Sequence, residues 1–182
     1  MKKVLMPLAP GFEEVEALTV VDILRRAGAE VVIAGTVEGV ITGRNGIHVV
    51  ADAALDKCMD AAFDMVVLPG GAAGTENLKK DERVRRLIQR MNAEGRLVTA
   101  ICAAPGVLSA AGLTKGKTIT SHPSARAGLI AGRISEDRVV TDGNIITSQG
   151  PGTAMEFAFR LVEALFGPEK VKEVNNGVLA RL

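Results

Sequence analysis

The residue best placed in this chain to do covalent chemistry is a cysteine where a strand bends. Leu97-Val98-Thr99-Ala100-Ile101-Cys102 is an apolar run that ends on the thiol, and Ala103-Ala104-Pro105-Gly106 follows with small residues compatible with a helix start. The pattern predicts a strand turning sharply into a helix with Cys102 at the bend. A thiol there projects from the carboxyl end of the strand over the first helical turn. Unpaired N–H groups and the helix dipole at that point favour the thiolate, the nucleophilic form. The ordinary alternative for such a cysteine is a small buried hydrophobe.

Three other stretches hold residue types that a thiol mechanism needs. Glu13, Glu14 and Glu16 open a helix, which is ordinary acidic bias in a first turn unless one of them serves the site. Glu16 is the candidate: Val15 and Leu18 are expected to face inward beside it, and a carboxyl held there by desolvation stays protonated and donates to a thiolate. Gly70 and Gly71 follow a buried strand. Their backbone N–H groups, with that of Ala103 just after the thiol, form a candidate oxyanion hole or substrate-binding cradle. His122, before Pro123, is a candidate catalytic residue, while His48 sits in a hairpin with no evident partner.

Positioning these residues requires strands that alternate with helices. Val4 to Ala9 and Glu30 to Ala34 are apolar runs without alternation, as in strands covered on both faces, and Glu14 to Ala27 between them has a helical period closed by Gly28. This opening predicts a parallel, doubly covered sheet with right-handed crossovers. Asn45-Gly46 and Asp142-Gly143-Asn144 mark hairpin turns, Asp64 to Leu68 is a further buried strand, and Asp81 to Glu94 an amphipathic helix. Ala103 to Ala111 is expected as the helix after the thiol, and Gly150-Pro151-Gly152-Thr153 opens another before a last amphipathic segment. In such a sheet every strand-to-helix loop emerges at the carboxyl edge, so Pro10 to Glu16, Pro69 to Gly74, the Cys102 bend and Ser121-His122-Pro123 are expected to converge there.

Composition narrows the function. The 182 residues suit one domain spanning the whole chain, with 22 Lys and Arg against 21 Asp and Glu, no Trp, no Tyr and five Phe. A net charge of +1 and few aromatic platforms argue against a nucleic-acid partner. No apolar stretch is long enough to span a bilayer, which, with two free thiols, predicts a cytoplasmic protein with no membrane partner. Neither cysteine has histidines at metal-ligand spacing, so no metal is expected. Ala111-Gly112-Leu113-Thr114-Lys115-Gly116-Lys117-Thr118 lacks the first glycine of a phosphate loop and follows a helix. Gly70 to Gly74 lacks dinucleotide spacing, and no NAD, flavin or other cofactor is expected.

Four ordered motifs resemble the ThiJ/PfpI superfamily, in the branch of the Parkinson-associated protein deglycase and its bacterial YajL-type relatives. They are Leu8-Ala9-Pro10-Gly11-Phe12-Glu13-Glu14-Val15-Glu16, Val67-Leu68-Pro69-Gly70-Gly71, Ala100-Ile101-Cys102-Ala103-Ala104-Pro105 and Thr147-Ser148-Gln149-Gly150-Pro151-Gly152-Thr153. The resemblance implies a flavodoxin-like α/β/α sandwich with a mostly parallel central sheet, a homodimer, and a nucleophile elbow at Cys102. It implies that Glu16 is the protonated partner of the thiolate, that Gly70, Gly71 and Ala103 surround the sulfur or oxyanion, and that His122 lies near the pocket. It further implies that Arg26 and Arg44 lie near the pocket and dimer interface. The activities it implies are cofactor-free glyoxalase and deglycase chemistry on small carbonyl substrates such as methylglyoxal and glyoxal or their early glycation adducts. The alternative is a peroxide-responsive sensor or chaperone using the same cysteine. Ala103 stands where the protease-like branch has histidine, so a cysteine peptidase lacks its base, and Gln149 stands where some relatives carry arginine.

Overall fold

The computed structural model describes residues 1–181. In chain order the elements are β1 (Lys3–Leu8), α1 (Glu14–Arg26), β2 (Glu30–Gly35), β3 (Val40–Thr42), β4 (His48–Val50), β5 (Ala53–Ala54), β6 (Met65–Leu68), α2 (Ala72–Lys80), α3 (Glu82–Ala93), β7 (Leu97–Ile101) and α4 (Pro105–Ala110). They continue as β8 (Thr118–Ile119), β9 (Arg133–Ile134), β10 (Val139–Asp142), β11 (Ile145–Ser148), α5 (Ala154–Phe166) and α6 (Pro168–Val178). Seven strands form the central sheet in the order β10-β11-β7-β6-β1-β2-β5, and only the β10–β11 hairpin is antiparallel. The mixed α/β sandwich with a mostly parallel sheet is the architecture anticipated from the apolar runs.

Side chains alternate across the strands and divide the core in two. Val4, Met6 and Leu8 of β1 point to the layer of α1 and α5, with Val20, Leu24, Phe157 and Leu161. Leu5, Val66, Leu68 and Val98 point to the opposite layer, with Leu78 of α2, Val84 and Ile88 of α3 and Leu108 of α4. Both turn signals sit in hairpins, β3–β4 with Gly46 at φ 87° and β10–β11 with Gly143 at φ 63°.

The strand order explains where the loops meet. From β1 the chain moves outward to β2 on one side, then returns to place β6 on the other side of β1. The connections after β1 and β6 therefore leave in opposite directions and open a crevice at their carboxyl ends. There the two loops are laced together, with Glu13 N–H donating to Gly70 O at 3.0 Å and Gly74 N–H to Gly11 O at 3.1 Å.

Three expectations change. Pro69 to Gly74 is not wholly loop, because α2 begins at Ala72. The helix after the thiol starts at Pro105, not Ala103, and has only six residues. Val15 and Leu18 face solvent, 50 % and 37 % exposed. The inner stripe of α1 is Glu16, Val20 and Leu24, spaced by four, so a carboxyl heads the buried face.

Candidate active site

Cys102 lies at the crevice with φ 65°, a left-handed conformation that a non-glycine residue adopts only when its surroundings impose it. The surroundings do so from both sides, since Cys102 N–H donates to Ser148 O at 3.0 Å and Cys102 O accepts from His122 N–H at 2.9 Å. The residue is 9 % exposed, and a cavity of about 210 Å³ reaches it, lined by Glu13, Glu16, Arg44, His122 and Pro151 among others. The sulfur is thus confined but accessible.

Glu16 is fully buried beside it. Its backbone N–H donates to Glu13 Oε2 at 2.8 Å, which caps α1, and its own Oε2 accepts from Gly70 N–H at 2.8 Å. The other oxygen, Oε1, is buried with no hydrogen-bond partner among the described residues; the carboxyl lies close enough to the Cys102 thiol for each to shift the other's protonation. Burial raises the Glu16 carboxyl from its ordinary value of 4.5 to about 7, against the lowering effect of Cys102 and of its bond to Gly70. Burial and a charged Glu16 push the Cys102 thiol up to about 12, although N–H groups of Gly71 and Ala103 point at the sulfur and work the other way. This corrects the expectation of a thiol lowered by a helix start. Two acids in contact in a dry site cannot both be charged, so the pair keeps one proton through neutral pH.

Gly70 and Gly71 have separate tasks. The Gly70 N–H is spent on Glu16, so it is not the free oxyanion donor expected. A Cβ at Gly70 would lie 2.5 Å from Glu16 Oε2 and 2.6 Å from Cys102 Cβ, so only glycine lets the two groups meet. Gly71, at φ 90°, turns its N–H toward the sulfur together with that of Ala103.

The remaining candidates divide. Arg44 lines the cavity, and its charge acts on Glu16. His122 lines it too, half-buried, but its Nδ1 accepts from Ser124 N–H at 3.2 Å and lies 2.7 Å from Ser124 Oγ, and no hydrogen bond joins the ring to Cys102 or Glu16 among the described residues. Arg26 does not reach the pocket: it ends α1 about 15 Å along the helix from Glu16 and pairs with Asp22 at 2.8 Å. Gln149 is tied to Glu136 O and Asp137 O at 2.7 and 3.1 Å. His48, expected to lack a partner, meets Thr42 Oγ1 at 3.1 Å.

One contributor was not assigned a role from sequence. Glu14, 3 % exposed, accepts from Asn45 N–H at 2.7 Å, Asn45 Nδ2 at 2.9 Å and Ile47 N–H at 3.4 Å. It thereby holds the β3–β4 turn that carries Arg44 over the crevice. Burial opposes its charge, yet these bonds and its own N–H hold its carboxyl below the ordinary value. The three glutamates in four residues were the available signal.

The chain and its fold have counterparts among known proteins. The model of the DJ-1/PfpI family matches residues 2–164. The chain belongs to the DJ-1/PfpI family. It is 42 % identical to protein dj-1beta of Drosophila melanogaster over 181 residues, covering 98 % of this chain and 97 % of that protein. The crystal structure of Drosophila melanogaster DJ-1beta covers 100 % of this chain and 99 % of its own at a TM-score of 0.96 and 41 % identity. Oxidized DJ-1 of Toxoplasma gondii covers all of both chains at a TM-score of 0.96 and 34 % identity. The glutathione-independent glyoxalase DJR-1.2 of Caenorhabditis elegans is 35 % identical over 164 residues, 89 % of this chain and 87 % of that protein. Among the described residues no helix is long and apolar enough to cross a membrane, and no group of three or more His, Cys, Asp or Glu side chains is arranged to hold a metal ion.

Proposed function

We propose that this protein is a cofactor-free glyoxalase acting on small 2-oxoaldehydes such as methylglyoxal or glyoxal. The observation that carries the reading is the placement of Cys102 beside a fully buried Glu16 in the lining of one cavity. Its likeness to a glutathione-independent glyoxalase supports it.

The chemistry follows from the proton that the pair keeps. As Sγ bonds to the aldehyde carbon, the carbonyl pair moves onto oxygen and the shared proton ends on Glu16, whichever atom held it before. Glu16 donates it to the oxyanion, giving a neutral hemithioacetal, and becomes the carboxylate. It then removes the proton from that carbon, whose C–H electron pair forms an enediolate with the neighbouring carbonyl; the hemithioacetal hydroxyl proton passes to the second oxygen and Glu16 returns its proton to the second carbon, so one carbon is oxidised as the other is reduced. Water cleaves the resulting thioester to the 2-hydroxy acid and regenerates the thiol. A carboxyl raised to about 7 is matched to both proton transfers at neutral pH. The N–H groups of Gly71 and Ala103 stabilise negative charge at the sulfur.

A peroxide-responsive role for the same cysteine is the second reading, favoured by the strained, accessible sulfur and by the likeness to a structure described as oxidized. Steady-state turnover of methylglyoxal set beside mass spectrometry after mild peroxide separates the two. Turnover with an intact thiol supports the glyoxalase; gain of two oxygens at Cys102 with negligible turnover supports the sensor. A homodimer belongs to the proposal as well, supported by the exposed Val15 and Leu18 of α1 and Ile47 and Val50 of the β3–β4 hairpin. Light scattering in solution tests it, a monomer mass overturning it.

A further inference from the structure

Once Cys102 Sγ has added to an aldehyde carbon, the neighbouring carbonyl oxygen takes up the charge of the enediolate, and a donor must meet it there. The backbone donors already described serve elsewhere. Gly70 N–H is bonded to Glu16, and the N–H groups of Gly71 and Ala103 point at the sulfur. Around the cavity, Ala72 and Pro151 carry no side-chain donor, Glu13 accepts from Glu16 N–H, and the Ser124 hydroxyl lies on His122. Arg44 and His122 are left. Arg44 is exposed on the β3–β4 turn, whereas the His122 ring is held in one direction.

Contacts on three sides hold it. His122 N–H donates to Cys102 O at 2.9 Å, which keys the residue to the cysteine itself. Pro123 then opens a tight turn over Pro123–Ala125 that brings Ser124 back onto the ring. There Ser124 N–H donates to Nδ1 at 3.2 Å, and Ser124 Oγ stands 2.7 Å from the same nitrogen. On the opposite edge a Cβ at Gly150 would lie 3.4 Å from Cδ2, so the ring lies along bare backbone. A backbone N–H can only donate. Nδ1 therefore presents its lone pair, the Ser124 hydroxyl donates to it as well, and the proton of the neutral ring sits on Nε2. The polar group that His122 offers the cavity it lines is thus an N–H, able to polarise a carbonyl but not to act as a base.

We infer that Ser124 is a positioning residue that holds His122 as the Nε2–H tautomer, and that this N–H is the donor to the second carbonyl oxygen of a 2-oxoaldehyde. The inference rests on the glyoxalase reading of Cys102 and Glu16. It gives that reading its selectivity for vicinal dicarbonyls over simple aldehydes, which have no second oxygen to bind. As Glu16 takes the C–H proton, the electron pair forms the carbon–carbon double bond and the carbonyl pair moves onto the second oxygen. Nε2–H hydrogen-bonds to that oxygen and keeps its own proton. The ring ends each turnover as it began, and no further reactant enters.

Two readouts test this, one of them independent of activity. With isotope-labelled histidine, at a pH above the ordinary histidine value of about 6.5, nitrogen–proton correlation spectra give the tautomer of each ring. The chain has two histidines, and a His48→Gln sample tells their signals apart. His122 is expected to be protonated at Nε2 and bare at Nδ1. In Ser124→Ala the Nδ1 signal should move toward that of a free ring and kcat/KM for methylglyoxal should fall about fivefold, the effect of one lost hydrogen bond. Ser124→Thr, which keeps the hydroxyl, should restore both. His122→Gln carries an N–H close to the place of Nε2 and should stay within about fivefold of wild type, whereas His122→Asn and His122→Ala lose about 10²- to 10³-fold. A wild-type ring protonated at Nδ1, equal losses in all three His122 variants, or full activity in all three overturns the inference. Absence of turnover by a wild type whose His122 shows the Nε2–H signal removes the glyoxalase reading, and the donor role with it, while upholding the hold of Ser124 on the ring.

Discussion

Replacing Glu16 by Gln removes one charge and one proton site from the pair while leaving an oxygen for the Gly70 N–H. Two like charges about 4 Å apart at an effective dielectric of about 20 repel by about 4 kcal/mol, equivalent to about three pH units. The Cys102 thiol, pushed up to about 12 by burial and the charged carboxylate, is therefore expected to titrate lower in Glu16→Gln by less than about three units, because burial, the larger cause, still holds it above its ordinary value. Ultraviolet absorbance of the thiolate against pH, in a Cys58→Ala background, reads this directly. The variant should nonetheless be slower, by about 10²- to 10⁴-fold in kcat/KM for methylglyoxal, because the general base is gone. A more ionised thiol with less turnover is the signature of a shared proton. Stability gives an independent reading. A carboxyl raised from 4.5 to about 7 on folding binds its proton more tightly in the folded chain. Its stabilisation is complete below about 4.5, is lost as pH rises through about 7, and amounts to about 3 kcal/mol. Urea unfolding of wild type should lose that much between pH 4.5 and 8 relative to Glu16→Gln. An unmoved or raised thiol titration, or full activity in the variant, would refute the reasoning.

Other substitutions follow from the same contacts. Gly70→Ala places a methyl between Glu16 and Cys102, and is expected to cost about 1–3 kcal/mol and at least tenfold in kcat/KM; wild-type kinetics would contradict the close approach. Glu14→Gln weakens the anchoring of the β3–β4 turn by about 2 kcal/mol, which urea unfolding measures, and should raise KM more than it lowers kcat as Arg44 loosens. Because the Glu14 carboxyl is held below its ordinary value of 4.5, its contribution is present at neutral pH and disappears as pH falls below that value. Under mild peroxide, peptide mapping should find oxygen on Cys102, which a cavity reaches, before Cys58, which is 5 % exposed and whose Sγ meets Ala54 O at 3.7 Å; equal oxidation would go against the account.

The central sheet was legible because inner strands such as β1 and β6 are unbroken apolar runs, and the two hairpins, β10–β11 at its edge and the separate β3–β4, because they carry Asp-Gly and Asn-Gly turns. The bend at Cys102 was legible for the same reason, an apolar run stopping on a thiol. Helix α2 was missed since only Gly74, Thr75 and Leu78 of its nine residues are buried, too few to set a period. The phase of α1 was misjudged from Val15 and Leu18, because a charged residue, Glu16, leads the buried stripe and apolar spacing cannot register it. The use of the Gly70 N–H and the shared proton depend on contacts across 54 residues and across the crevice between β1 and β6. No local pattern encodes those, although the density of glutamates after Phe12 pointed to the place.

The account rests on one sulfur and the acid beside it turning an oxoaldehyde into a hydroxy acid. Its most direct test is the rate of lactate formation from methylglyoxal by wild type and Cys102→Ser, prepared alike and shown by circular dichroism to be equally folded. Wild type should produce lactate without added metal, glutathione or organic cofactor, and Cys102→Ser should fall to the uncatalysed rate. Lactate formation by the serine variant at a rate near that of wild type would contradict it.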